Sequence, residues 1–145
     1  MDTICLELRR IEGSEKLKLD GIAFSRCVFV RVLVNGCFDS LNAFPDSLAV
    51  FSELERSSTG SGRYLIFTCA CGVADDGGWE YVNVVHHEST ITWRFSRGQE
   101  YSFMFQKSLY RETIAMCAHR IDSLDSGTPL EPTSFVYPEE EPQGE

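Results

Sequence analysis

Apolar and polar residues alternate with a period of two over much of this chain, most clearly between residues 82 and 106. There Val82, Val84, Ile91, Trp93, Phe95, Tyr101, Phe103 and Phe105 interleave with Asn83, His87, Thr92, Arg94, Ser102 and Gln106. Side chains two apart on a strand share a face, so this pattern predicts antiparallel strands with one covered side. Pairing Ile91 with His86 sets Trp93 opposite Val84 and Phe95 opposite Val82. A turn through Gly98 then sets Tyr101 opposite Phe95, Phe103 opposite Trp93 and Phe105 opposite Ile91. Under this register every large apolar residue lies on one face, and a slip of one residue would reverse all of them. Residues 64–71 read as a further strand, in a hairpin with 79–87.

Two more strands precede this stretch. Ile4, Leu6 and Leu8 alternate with Cys5, Glu7 and Arg9 over 3–11. Over 24–34, Val28, Val30, Val32 and Val34 form one face and Phe29, Arg31 and Leu33 the other. Apolar residues on both faces predict an interior strand. Between these two strands, 12–21 reads as a charged turn region. Pro45-Asp46-Ser47 predicts the start of a short helix, capped by Asp46 or Ser47, with Leu48, Phe51 and Leu54 as its stripe. Residues 57–62 read as a flexible connector.

Tyr110, Ile114, Cys117, Ile121 and Leu124 recur at steps of four and three, which predicts a main helix over 108–124 lying on the aromatic face of the sheet. The expected fold is α+β, in two layers: a mainly antiparallel sheet of about six strands covered by two helices. It occupies 1–125 as a single domain. Residues 126–145 read as a disordered, acidic, Pro-rich tail, in which Phe135, Val136 and Tyr137 are the residues able to pin a segment to the body.

Charge narrows the function classes. The formal net charge is −9, and the tail holds Glu131, Glu139, Glu140, Glu141 and Glu145 with no Lys or Arg. An acidic chain lacks the clustered cations that nucleic-acid binding needs; its charge suits a basic protein partner, or serves solubility alone, as in many acidic soluble proteins. The first residues lack a signal-peptide pattern, and no apolar run approaches the ~20 residues of a membrane span. The reading is a cytoplasmic protein with reduced cysteines.

Candidate chemistry is sparse. Cys69 and Cys71 would project to one face of a strand, with a Cα separation of roughly 6.5–7 Å that disfavours a mutual disulfide. His86 and His87 lie too far along the chain to complete a zinc site with them. The expectation is two structural cysteines, no metal and no cofactor. His86 reads as a hydrogen-bonded core residue. No nucleophile–base pair, nucleophile elbow or phosphate loop is evident, so the chain reads as a non-enzyme. The turn Asp75-Asp76-Gly77-Gly78-Trp79, followed by Glu80, combines carboxylates with an aromatic on a loop. Its two readings are a plain hairpin turn with Trp79 half-buried and a partner-binding site made of Asp75, Asp76, Trp79 and Glu80.

The segment Phe67-Thr68-Cys69-Ala70-Cys71-Gly72, with Gly77-Gly78, Val82-x-Val84 and Thr92-Trp93-Arg94, resembles a group of small bacterial proteins that carry a Thr-Cys-x-Cys-Gly turn. Some of these are associated with immunity proteins of polymorphic, contact-dependent growth inhibition systems. The group often has a further Cys, and Asp75-Asp76 stands in its region here. The resemblance implies a toxin inhibitor that binds a cognate, basic toxin domain, such as a nuclease, through its acidic surface. The alternative from the residues is a small-molecule- or metal-binding accessory domain.

Overall fold

The computed structural model describes residues 1–19, 21–74, 79–125 and 127–138. In chain order its elements are β1 (Ile4–Ile11), β2 (Leu17–Leu19), β3 (Ile22–Phe24), β4 (Cys27–Val34), β5 (Phe38–Asp39), α1 (Ser40–Ala43), β6 (Ser47–Ala49), α2 (Phe51–Ser57), β7 (Gly62–Tyr64), β8 (Phe67–Cys69), β9 (Val82–His86), β10 (Thr90–Arg97), β11 (Gln99–Gln106), α3 (Lys107–Asp122) and β12 (Leu130–Glu131). This is a mixed α+β fold with mainly antiparallel sheets.

The alternating stretch folds in the register its parity requires. Ile91 pairs with His86 and Trp93 with Val84. Phe105, Phe103 and Tyr101 lie opposite Ile91, Trp93 and Phe95. Gly98 turns the β10–β11 hairpin at φ +74, a conformation that favours glycine. Val82, Val84, Ile91, Trp93, Phe95 and Phe105 are all buried. Helix α3 turns Tyr110, Ile114 and Cys117 into the same core, and the Tyr110 ring stacks 5.5 Å from Phe105.

The strands do not form one sheet of about six. One four-stranded sheet runs β11-β10-β9-β7, and another runs β1-β4-β12 with β5 beside β4. The Asp2–Phe105 bridge touches the two together at their edges. The expected strand 64–71 is divided between neighbours. Tyr64 pairs with Val82, but Phe67 pairs with Ala49 and Cys69 with Ser47. The crossing residues Leu65 and Ile66 are completely buried. Apolar residues in succession with no alternation let the chain leave one sheet for another, since either face meets core.

Three further expectations change. The charged region 12–21 contains β2, which pairs with β3 and closes a second core of Ile11, Leu19, Phe24, Cys27, Phe29, Leu48 and Ala70. The strand expected over 24–34 begins at Cys27, after Arg26 turns the chain at φ 49. No helix starts at Asp46 or Ser47: Ser47 is strand-paired with Cys69, and α2 begins at Phe51 behind Val50, which caps it without a side-chain bond. Leu48 therefore leaves the expected helical stripe for the second core.

The tail also differs from expectation, and the boundary at 125 does not end the packed body. Leu130 and Glu131 pair in parallel with Val28 and Phe29. Val136 bridges to Val73. Pro129 O accepts from Val28 N–H at 3.0 Å. Phe135, Val136 and Tyr137 hold this segment to the body, as their apolar character predicts. The run of glutamates from Glu139 lies outside the described residues. Among those described, no helix is long and apolar enough to cross a membrane.

Candidate binding surface

Helix α2 is short because it is set by what it buries. Phe51 and Leu54 point inward, and so does Glu53, at 1% exposure. A buried carboxylate needs partners. One Glu53 oxygen accepts from Leu65 N–H at 3.0 Å and the other from the Arg56 guanidinium at 2.5 Å. This holds the Arg56 guanidinium through one of its nitrogens while leaving 60% of the side chain exposed.

From there Arg56 lies over the Tyr64 ring at 5.4 Å and donates to Tyr137 Oη at 3.4 Å. Arg63, on β7, lies 4.6 Å over the Tyr81 ring. Tyr81 and Tyr137 stack at 6.3 Å and 21°. Glu53, Arg56, Gly62, Arg63, Tyr81 and Tyr137 line an open cleft of about 520 Å³. Two guanidiniums and two phenol rings thus face solvent together on a chain whose net charge is −9. Such a wall offers cation–π faces, planar donors and amphipathic rings. Tyr and Arg are the residue types that concentrate binding energy in protein interfaces.

Of the expected contact residues, Trp79 and Glu80 are described. Asp75 and Asp76 lie outside the described residues. Glu80 is exposed, directly before Tyr81. Trp79 corrects the expectation of a surface or half-buried ring: it is 3% exposed, edge-on to Phe44 at 4.9 Å, with Arg97 4.4 Å over its face. Its backbone N–H donates to Ala74 O at 2.9 Å. Burying so large a ring outweighs presenting it at a loop tip. In this conformation the surface chemistry belongs to Glu80, Tyr81 and the arginines.

Cys69 and Cys71 are joined by a disulfide, against expectation. The reason is local. Strand β8 ends at Cys69, and Gly72 N–H closes a turn onto Cys69 O at 2.9 Å. The Cα atoms come to 5.4 Å, closer than an extended strand allows. Among the described residues no group of three or more His, Cys, Asp or Glu side chains could hold a metal ion. His86 is tied into the body, its Nε2 2.7 Å from Ser57 O and its backbone N–H donating to Ser61 Oγ. His87 is exposed.

Arg56, Arg63, Tyr81 and Tyr137 escaped the reading of the sequence because they converge from α2, β7, the segment before β9 and the C-terminal segment. Their only local sign was Tyr81, a large ring between charged Glu80 and a buried valine. Compared with family models, with curated proteins and with solved structures, the chain finds no match.

Proposed function

We propose that this chain is a binding protein of the immunity type, cytoplasmic and non-catalytic, which neutralises a cognate bacterial toxin domain by direct contact through an acidic surface. The observation that carries this reading is the net charge of −9, with exposed Glu80 directly before Tyr81 at the rim of the aromatic cleft. Carboxylates steer a basic partner and speed association, while tyrosine and arginine supply the desolvated anchors. The surface is held on a packed scaffold: Glu53 fixes Arg56 from within, and the Val73–Val136 bridge sets Tyr137. Little ordering is then needed on binding, which favours affinity.

The test is co-expression with a toxic, basic domain sought among the products of neighbouring genes, scored by survival and by recovery of the complex. Survival with a one-to-one complex supports the reading. Cell death despite abundant folded protein, with no complex recovered, removes it.

A second reading has its own observation. A cleft of about 520 Å³ with two guanidiniums beside a stacked pair of phenol rings also suits a planar organic anion, which would make this a small-molecule-binding accessory domain. Calorimetry with aromatic carboxylates separates the two.

A further inference from the structure

Cys69 and Cys71 sit where the C-terminal segment is fastened. The disulfide spans Ala70 alone and closes the same turn as the Gly72 N–H bond to Cys69 O. The next residue, Gly72, stands at φ +83, and a Cβ there would lie 2.6 Å from Ser134 O. Gly72 O accepts from Val136 N–H at 2.6 Å, and Val136 O accepts from Ala74 N–H at 3.3 Å. Val136 is followed by Tyr137, which walls the cleft. The sulfur pair therefore shapes the turn on which the segment 134–137 rests. The two sulfurs are unequal in access: Cys69 is 2% exposed, and Cys71 is on the surface.

We propose that Cys69 and Cys71 are a reversible redox site for low-molecular-weight thiols and disulfides, and that their oxidation state sets how firmly the segment 134–137 is docked against Gly72. In the reduced protein the exposed Cys71, as thiolate, attacks a small disulfide RSSR. One S–S bond forms to Cys71 and one RS⁻ leaves. Cys69, losing its proton to solvent, attacks the Cys71 sulfur and expels the second RS⁻. Two protein thiols lose two electrons, and RSSR becomes two RSH. A closing ring with one residue between its cysteines restricts little of the unfolded chain, so the bond acts on local shape more than on global stability. Oxidation holds the turn, presents Gly72 O to Val136 and keeps Tyr137 beside Tyr81. Reduction frees the turn and loosens that wall of the cleft.

The experiment uses the full chain with Cys5→Ser and Cys37→Ser, which removes the exposed competing thiols. Cys27 and Cys117 are buried, and burial pushes the Cys117 thiol up to about 11, so neither competes. The protein is equilibrated in glutathione buffers of graded ratio. Thiols are trapped by alkylation and located by mass spectrometry, and amide exchange is followed at each state. The expected result is a two-electron titration of the 69–71 pair. In the reduced state, exchange at Ala74 and Val136 should be at least ~10-fold faster, with β10 unchanged. Cys71→Ser should match the reduced protein in every buffer. Failure of oxidised glutathione to form the disulfide, equal exchange in both states, or loosening of β10 along with Val136 would each overturn the proposal. If Cys71→Ser does not fold, the titration of the parent decides alone.

Discussion

Trp93 donates its indole N–H to the Tyr110 hydroxyl at 3.1 Å, and Ser57 Oγ stands 2.6 Å from the same oxygen. All three residues are completely buried. One oxygen thus joins β10, α3 and α2 inside the main core. Ser57 Oγ also donates to Leu54 O at 2.6 Å, so the hydrogen between Ser57 and Tyr110 belongs to Tyr110. Tyr110→Phe keeps the ring and removes the junction, leaving the Trp93 N–H without its acceptor. A buried donor so orphaned costs about 1–3 kcal/mol. Urea unfolding should show that loss with an unchanged m-value.

The same tyrosine gives an alkaline signature. Burial pushes its hydroxyl up to about 12, outweighing the bonds from Ser57 and Trp93. The unfolded chain ionises this group near 10, and the folded chain does not until about 12. Between those values the native state holds the extra proton, so stability falls as pH rises, by about 2–3 kcal/mol in all. Tyr110→Phe removes this part of the slope. Denaturation of both proteins between pH 9 and about 11 should bring their stabilities together.

Asp39 works at the acid end. It accepts from Arg31 Nε at 2.9 Å and from Leu41 N–H at 3.1 Å, pairing β4 with the start of α1. The Arg31 guanidinium holds its carboxyl below the usual 3.8. The stability it adds is present above pH 3.8 and is lost as pH falls through the lowered native value. Asp39→Asn should cost about 1–2 kcal/mol near neutrality, since Arg31 stays partly solvated. Mutant and parent should converge in acid.

What was legible in the sequence follows from how much each segment depended on its neighbours. Residues 82–106 alternate over three strands joined by short turns, and one covered face admits one register; Trp93 opposite Val84 needed nothing else. Helix α3 declared itself by Tyr110, Ile114 and Cys117 at helical spacing. Residues 47–69 did not. Leu48, Leu65, Ile66 and Phe67 are apolar without a period, because core surrounds them on all sides, and such runs fit strand, helix or crossing equally. The segment 127–138 reads as tail by composition, and only the open edge of β4 makes Leu130 and Glu131 within it a strand. The site was less legible than the fold. Glu80 could be named from its loop, but Trp79 is drawn inward by Phe44. Arg56 and Tyr137 are 81 residues apart in sequence, and meet only through Glu53 and the docked C-terminal segment.

The binding proposal makes a graded prediction at this surface. Replacing Glu80, Asp75 and Asp76 by Lys should leave stability within about 0.5 kcal/mol if that loop is solvated, as exposed Glu80 is. Its effect should fall on association with the toxin domain: a slower on-rate, with weaker dependence on salt. Tyr81→Ala acts on the anchor instead. It removes the ring that stacks on Tyr137 and carries Arg63, and should cost about 2 kcal/mol or more in affinity, expressed as faster dissociation. Trp79→Ala is unsuitable as a binding test, because emptying a buried Trp site costs about 3–5 kcal/mol of folding stability. Surface plasmon resonance at two salt concentrations, run beside urea melts, separates these effects. Unchanged kinetics for both the triple Lys variant and Tyr81→Ala, with a complex still formed, would place the contact elsewhere on the molecule. A salt-insensitive on-rate for the parent would remove the acidic surface from the mechanism, whatever Tyr81 does.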